Sequence, residues 1–161
     1  MARVLPIEHL SSWRMSLPEN QRPLVVTNGC FDLLHVGHVR YLNQAAALGN
    51  SLLVGINDDA GVRELKGTAR PLNKAEDRAE VLAALSCVRA VCIFPGHRAM
   101  DFLRTARPDI YAKGGDYTED SLFPPEREIL EQCGSRIELL GLVPGKSTTD
   151  LARQILSSSH S

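Results

Sequence analysis

The sequence predicts an α/β fold: a Rossmann-like, doubly wound parallel sheet of five strands with helices on both faces. Two observations support this prediction. Short apolar runs recur along the chain, each followed by turn or polar residues, which is typical of buried strands. Segments with apolar residues at helical spacing alternate with these runs. Because such sheets bind ligands at the carboxyl ends of their strands, the residues that follow each strand are the candidate site residues.

The predicted strands are too short and too apolar to be amphipathic helices, and each ends at polar or turn residues. In chain order they are Leu24–Thr27, Ser51–Ile56, Ala90–Phe94, Ile110–Lys113 and Arg136–Leu140. The predicted helices have apolar residues three or four positions apart. In chain order they are Val36–Leu48, Ala60–Leu65, Ala75–Leu85, Ala99–Ala106, Pro125–Cys133 and Thr148–Leu156, after a short helix around Ile7–Met15. Gly49 and Gly134 are placed as C-terminal caps would be, and Pro125 suits a first helical turn.

The length of 161 residues favours one domain with its own hydrophobic core. We expect an N-terminal extension over residues 1–23, a main domain over residues 24–156 and a flexible tail over residues 157–161. The net charge of −1 does not support binding to nucleic acid or to a membrane surface. No apolar run approaches the ~20 residues of a transmembrane helix, and no signal-peptide pattern is present, so we expect a cytoplasmic protein. The four cysteines form no C-x-x-C pair, which predicts reduced thiols and no structural zinc site.

The most informative segment joins the first predicted strand to the helix after it. It contains Thr27, Asn28, Gly29, Cys30, Phe31, Asp32, His35, Gly37 and His38. Such a junction gathers free backbone N–H groups and the positive end of a helix dipole, which favours phosphate, and Gly37 lets a ligand approach the backbone. Metal ligation by the two histidines lacks a nearby third ligand, and a nucleophile–base pair lacks a recognisable serine or cysteine. The pattern therefore favours stabilisation of a phosphoryl group as charge builds on it.

Several later segments are also candidates for phosphate or nucleotide contacts. Lys66 and Arg70 flank a glycine-containing loop that can neutralise a departing pyrophosphate, although such cations are more often merely solvated. The segment Lys113-Gly114-Gly115-Asp116 either approaches a flat ligand closely or forms a simple turn. The segment Ser147-Thr148-Thr149 caps the last helix, binds phosphate, or does both, and Lys146 strengthens the phosphate interpretation.

Two groups of acidic or polar residues have simpler structural interpretations. Asn57 or Asp58 is expected to cap the helix after the second strand. Asp32 either stabilises a turn or orients substrate or metal-bound water near the phosphates.

The segment Gly29-Cys30-Phe31-Asp32, followed by His35-Val36-Gly37-His38, resembles the signature of the cytidylyltransferase-like nucleotidyltransferases. Residues 66–78, residues 107–117 and Ser147-Thr148-Thr149 resemble a narrower branch, the ADP-heptose synthase adenylyltransferases. Glycerol-3-phosphate cytidylyltransferases instead carry glycine–aspartate–aspartate–tryptophan where this chain has Gly115-Asp116-Tyr117. The resemblance covers nearly all of the chain from Leu24 to Leu156.

The resemblance implies transfer of AMP from ATP to a sugar 1-phosphate, D-glycero-β-D-manno-heptose 1-phosphate, with Mg²⁺ as cofactor and pyrophosphate as the second product. It implies that His35, His38, Lys66 and Arg70 are catalytic. The residues it places at the nucleotide are Thr27, Asn28, Gly29, Cys30, Phe31, Asp32, Gly37, Arg78, Lys113, Gly114, Gly115, Asp116, Ser147, Thr148 and Thr149. No residue is predicted to bind metal directly. Related enzymes are commonly dimers or higher homo-oligomers, and the 23 residues ahead of the first strand are too few for the sugar-kinase domain of bifunctional members, so a monofunctional form is expected.

Two alternatives stay open. A cytidylyltransferase that acts on glycerol 3-phosphate or a similar alcohol phosphate would keep the same histidines and differ in its base pocket. A non-catalytic nucleotide-binding regulatory module would keep the fold, although the intact His35, His38, Lys66 and Arg70 argue against it.

Overall fold

A parallel sheet forms the centre of the computed structural model, which describes residues 2–115, 118–141 and 143–158. Within these residues the sheet has six strands in the order β1-β4-β3-β2-β5-β6. The strands are β1 (Arg3–Pro6), β2 (Leu24–Gly29), β3 (Ser51–Asn57), β4 (Ala90–Phe94), β5 (Ile110–Gly114) and β6 (Arg136–Leu140). The α-helices are α1 (Ile7–Met15), α2 (Val36–Ala46), α3 (Asp59–Lys66), α4 (Ala75–Ala83), α5 (Met100–Ala106), α6 (Pro124–Gln132) and α7 (Thr148–Ser158). The predicted α/β fold is confirmed, with one strand more than expected.

The additional strand, β1, lies in the segment predicted as an N-terminal extension. It pairs in parallel with β4, with Arg3 opposite Ala90. Only Leu5 of its residues is buried, so the strand lacks the apolar run by which a buried strand is recognised. The helix that follows it, α1, buries Leu10 and Trp13 in the core.

Helices cover both faces of the sheet, as the doubly wound prediction required. The neighbouring residues Val25 and Val26 of β2 belong to two separate hydrophobic clusters, because successive strand side chains point to opposite faces. One cluster includes Trp13 of α1 and Phe102 of α5. The other includes Leu42 of α2 and Leu82 of α4, together with Val25.

Of the two glycines predicted to cap helices, Gly134 does so and Gly49 does not. Gly134 has φ of +70°, and Ser135 N donates to Leu130 O at 3.0 Å, as at a glycine-capped helix end. Gly49 does not cap α2, whose C-cap is Ala47; a Cβ on Gly49 would lie 2.5 Å from the carbonyl oxygen of Pro23. The first two residues of the predicted tail belong to α7, and residues 159–161 lie outside the described residues. None of the helices in the described ranges is long and apolar enough to cross a membrane.

The direction of strand addition reverses at the β2–β5 junction. From β2, the chain adds β3 and β4 on one side and then returns to add β5 and β6 on the other. The β2–β5 pairing covers only Val25 with Ile110 and Val26 with Tyr111. Since β2 continues to Gly29 and β5 to Gly114, their carboxyl ends are left free to border a crevice.

Candidate active site

A cleft of about 380 Å³ opens at this reversal point. The carboxyl ends of β2 and β5, the first turns of α2 and α7 and the end of α3 form its walls. The predicted site residues that line it are Asn28, Gly29, Cys30, Phe31, His35, Gly37, His38, Lys66, Lys113, Gly114, Ser147, Thr148 and Thr149. Residues far apart in sequence thus meet in one place, which is the first requirement of a shared site.

The two histidines are held by the start of α2. His35 is the N-cap of the helix, and its Nδ1 accepts a hydrogen bond from Gly37 N at 3.1 Å. The Nδ1 atom of His38 accepts from His35 N at 3.4 Å. Because both Nδ1 atoms accept, each neutral imidazole must carry its proton on Nε2. The rings stack with centroids 3.8 Å apart, which holds both imidazoles at the start of α2, where the helix dipole is positive.

Both imidazoles are held in the neutral form. Burial lowers the pKa of His38 to about 4, and the nearby His35 and Lys66 act in the same direction. Burial and Lys146 also lower the pKa of His35. At neutral pH the pair therefore offers hydrogen-bond donors rather than two full positive charges.

Gly37 is required by the meeting of α2 with the segment before α7. A Cβ at this position would lie 2.9 Å from the His35 ring and 3.1 Å from Cβ of Lys146. The sequence interpretation gave Gly37 the role of letting a ligand approach the backbone; Gly37 lines the cleft, and the structure adds the close packing of His35 and Lys146 against it. The absence of a Cβ at Gly37 allows the segment before α7 to pack close to His35.

Three lysines give the cleft its positive charge. Lys66 ends α3, Lys113 lies near the end of β5, and Lys146 precedes α7. Burial lowers the pKa of Lys113, against the opposing influence of Glu126 and Cys30. The described lining contains no Asp or Glu. Ammonium groups and helix N-termini without carboxylates are a suitable environment for several phosphate groups.

The hydroxyl groups at the start of α7 have separate partners. Ser147 Oγ accepts from Asp150 N at 3.1 Å and donates to Asp150 Oδ2 at 2.7 Å, which caps the helix. Thr148 Oγ1 donates to Leu33 O at 3.4 Å, toward the α2 side of the cleft. Thr149 lines the cleft with no protein hydrogen bond to its hydroxyl among the described residues. Capping and phosphate binding are therefore compatible here.

Asp32 and Arg70 do not line the cleft, although the resemblance implies a nucleotide contact for Asp32 and a catalytic role for Arg70. Arg70 Nη1 donates to Asp32 Oδ2 at 2.9 Å, and the carboxylate also accepts from the backbone N–H groups of Leu72 and Asn73. Burial alone would raise the pKa of Asp32, but the Asn73, Leu72 and Arg70 hydrogen bonds outweigh it and lower the pKa. The pair ties the loop after α3 to the segment that follows β2.

Arg78 does not line the cleft, although the resemblance implies that it faces the site. It lies behind the segment that follows β2. It is 2% exposed, and its guanidinium donates to Cys30 O at 2.7 Å, Asp59 Oδ1 at 2.9 Å and Asn73 O at 3.0 Å. These hydrogen bonds hold the backbone at Cys30, a residue that lines the cleft. The predicted cap of α3 is Asp58, whose Oδ1 accepts from Gly61 N at 2.7 Å.

Thr27 is fully buried rather than exposed to the cleft. Its Oγ1 lies 2.6 Å from Tyr41 Oη, and Tyr41 Oη donates to Ala112 O at 3.1 Å. Because the single tyrosine proton goes to Ala112, the Thr27 hydroxyl is the donor in their bond. Gly115 is not part of the cleft lining, and Asp116 lies outside the described residues.

Tyr41, Gly141 and Val143 line the cleft although the sequence interpretation did not select them. Tyr41 could have been found, because it lies three positions after His38 on the same helix face. Its ring approaches β5 so closely that a Cβ on Gly114 would lie 2.7 Å from Tyr41 Cε2. Gly141 and Val143 carry no sequence signal of a site.

A metal site made of protein groups is absent from the part of the chain that the structure describes. Those residues contain no group of three or more His, Cys, Asp and Glu side chains able to hold a metal ion. A hard cation such as Mg²⁺ prefers oxygen ligands, and this cleft supplies no described carboxylate.

Comparison with known proteins identifies a family model and curated relatives that the chain matches. A family model described as cytidylyltransferase-like matches residues 26–158. The bifunctional protein HldE of Syntrophotalea carbinolica is 48% identical over 135 residues, which are 84% of this chain and 27% of that protein. HldE of Geobacter sulfurreducens is 48% identical over 133 residues, which are 83% of this chain and 27% of that protein. The chain thus spans about a quarter of the length of these curated relatives.

Solved structures share the architecture at low sequence identity. A lipopolysaccharide core biosynthesis protein from Thermoplasma volcanium matches with a TM-score of 0.61 and 24% identity over 74% of this chain and 95% of that one. A pantoate-beta-alanine ligase from Francisella tularensis matches with a TM-score of 0.61 and 14% identity over 98% of this chain and 78% of that one. At these identities the matches establish the fold alone.

Proposed function

Because the chain belongs to the cytidylyltransferase-like family, we propose that it transfers AMP from ATP to a sugar 1-phosphate and releases pyrophosphate. The observation that carries the proposal is the pair of neutral imidazoles at the start of α2, which line one cleft together with three lysines. The choice of D-glycero-β-D-manno-heptose 1-phosphate as acceptor rests on the resemblance to ADP-heptose synthase adenylyltransferases. The 48% identity to HldE supports it.

The proposed reaction is a direct transfer at the α-phosphorus of ATP. A phosphate oxygen of the sugar 1-phosphate forms the new bond to phosphorus, while the bond to the bridging oxygen of pyrophosphate breaks. The attacking oxygen is already anionic, so neither a general base nor a covalent enzyme intermediate is needed. Catalysis then consists of positioning and electrostatic stabilisation.

Each group in the cleft has a proposed task in that transfer. His35 and His38 donate through Nε2–H to α-phosphoryl oxygens as negative charge grows there. Lys66, Lys146 and the start of α7 bind the departing pyrophosphate. Arg70 acts through Asp32 as a positioning residue, since their ion pair fixes the loop after Lys66.

Mg²⁺ is proposed to arrive with the nucleotide. The described lining offers hydroxyl groups but no carboxylate, so substrate phosphates and water would supply most of its ligands. When bound, the ion would neutralise phosphate charge. The protein residues would hold the phosphates that carry it.

A pyrophosphate-release screen tests the proposal. ATP and CTP are each paired with a panel of sugar 1-phosphates, including the heptose 1-phosphate, and with glycerol 3-phosphate. We expect the highest kcat/KM for ATP with heptose 1-phosphate and a product of the mass of ADP-heptose. A preference for CTP with glycerol 3-phosphate would support the cytidylyltransferase alternative. ATP binding without pyrophosphate release on any acceptor would support a regulatory module.

A further inference from the structure

A second recess lies at the opposite end of the sheet from the cleft. It measures about 340 Å³ and is bordered by the start of β1, the end of α1 with the turn after it, and the residue before β4. The first cleft is built at the carboxyl ends of β2 and β5, and no residue lines both. Any ligand of this recess would therefore bind apart from the proposed reaction.

Two arginines, Arg3 and Arg89, border the recess and are exposed. The backbone N–H of Arg3 donates to Arg89 O at 3.4 Å, so the strand pairing holds the two residues next to each other. Among the described residues, neither guanidinium makes an ion pair or a side-chain hydrogen bond, although Arg14 and Arg127 each bind a carboxylate. The described lining of the recess contains no Asp or Glu. Two guanidinium groups in the lining of one recess without a carboxylate make its potential positive, which favours an anion.

The remaining lining groups indicate what kind of anion fits. The Gln21 side-chain amide adds hydrogen-bond donors, while Trp13 and Leu17 supply an apolar wall. A guanidinium group can donate two parallel hydrogen bonds to the oxygens of one phosphate. The volume of the recess, about 340 Å³, is larger than a single inorganic ion needs. We infer that this recess binds the phosphate group of a small molecule between Arg3 and Arg89, beside Trp13. The same chemistry serves free phosphate and a phosphate ester.

The chain provides its own reporter for this site. Trp13 is the only tryptophan in the sequence and lies in the recess wall, so its fluorescence responds to events there. Tryptophan emission is followed during titration with inorganic phosphate and, separately, with glycerol 3-phosphate. Ionic strength is held constant with sodium chloride. We expect a saturable change in emission with at least one of the two probes.

Variants decide whether the signal belongs to the arginines. Arg3→Gln and Arg89→Gln should each weaken the fitted affinity by about tenfold or more, because each removes charge-assisted hydrogen bonds. Arg40→Gln is the matched control, since Arg40 is exposed and has no ion pair among the described residues. Lys146→Gln, in the other cleft, should leave the titration unchanged. Circular dichroism checks that each variant is folded.

The outcomes distinguish a phosphate ester from free phosphate as the ligand, and they include results that would overturn the inference. Tighter binding of glycerol 3-phosphate than of phosphate would identify an ester as the ligand, whereas equal affinities would identify free phosphate. Absence of a saturable change with both probes would overturn the inference. Unchanged affinity in both arginine variants, or loss of the signal in Lys146→Gln, would overturn it as well.

Discussion

At the scale of single residues, the start of α2 determines the chemistry of the two histidines. Backbone N–H groups occupy both Nδ1 atoms, which leaves the protons on Nε2, and both histidines line the cleft. Burial keeps the His38 ring neutral. A helix start therefore supplies two oriented donors without the cost of burying two charges.

The protonation of His38 can be measured directly. The pKa of about 4 predicts that His38 stays neutral and protonated on Nε2 until the pH falls well below its ordinary value of 6.5. Nitrogen chemical shifts of ¹⁵N-labelled histidine, followed in a pH titration of the free protein, report both the tautomer and the midpoint. A His38 midpoint near 6.5, or a proton on Nδ1, would contradict this account.

Lys146 is predicted to bind the triphosphate. Lys146→Gln should raise the KM for ATP roughly tenfold, the scale of losing one charged hydrogen bond. Lys74→Gln is the matched control, because Lys74 is exposed and lies outside the cleft lining. Steady-state pyrophosphate release measures both variants. Equal KM values for ATP in the two would exclude this role for Lys146.

At the scale of elements, polar side chains outside the cleft hold the segment after β2 in place. In a sequence motif these side chains look the same as ligand-binding ones. Asp32 binds Arg70, 38 positions away, and Arg78 binds the carbonyl of Cys30, 48 positions away. A motif shows that a polar residue lies near the site but not which side of the backbone it faces. This is why the sequence did not distinguish Arg78, which lies behind the cleft, from His35, His38 and Lys66, which line it.

Tyr41 is predicted to join α2 to β2 and β5. Tyr41→Phe removes the hydroxyl that bonds both Thr27 Oγ1 and Ala112 O, leaving buried polar groups unpaired. We expect the free energy of unfolding to fall by about 1–3 kcal/mol. Urea denaturation of Tyr41→Phe, Thr27→Val and the double variant measures this change and the coupling between the two residues. Strictly additive effects would show that the Thr27–Tyr41 bond does not contribute.

At the scale of the whole molecule, the sequence pattern was sufficient for a parallel sheet with helices on both faces but not for the edge strand β1. The buried strands β3 and β4 carry continuous apolar residues, and their predicted bounds agree closely with the structure. The edge strand β1 buries only Leu5, so its pairing with β4 has no local signature. Strand order is set by such long-range pairing, which a single sequence does not record.

The partly buried His38 also predicts how stability varies with pH. The pKa of His38 is lower in the folded protein than its ordinary value of 6.5, so the unfolded chain binds the proton first on acidification. Its neutral form therefore contributes stability above about pH 6.5, and that contribution is lost as the pH falls toward 4. Denaturation at several pH values should show the stability of the wild type falling relative to His38→Gln across this window. A constant difference would contradict the lowered pKa.

The most direct test of the central claim is the turnover number of His38→Ala. If His38 donates to the α-phosphoryl group in the transition state, kcat for pyrophosphate release from ATP and the best acceptor should fall roughly 10²–10³-fold. The fold should be retained, because the imidazole accepts a single backbone hydrogen bond within the described structure. Circular dichroism and ATP binding would verify this. A folded His38→Ala protein with near wild-type kcat would contradict the account.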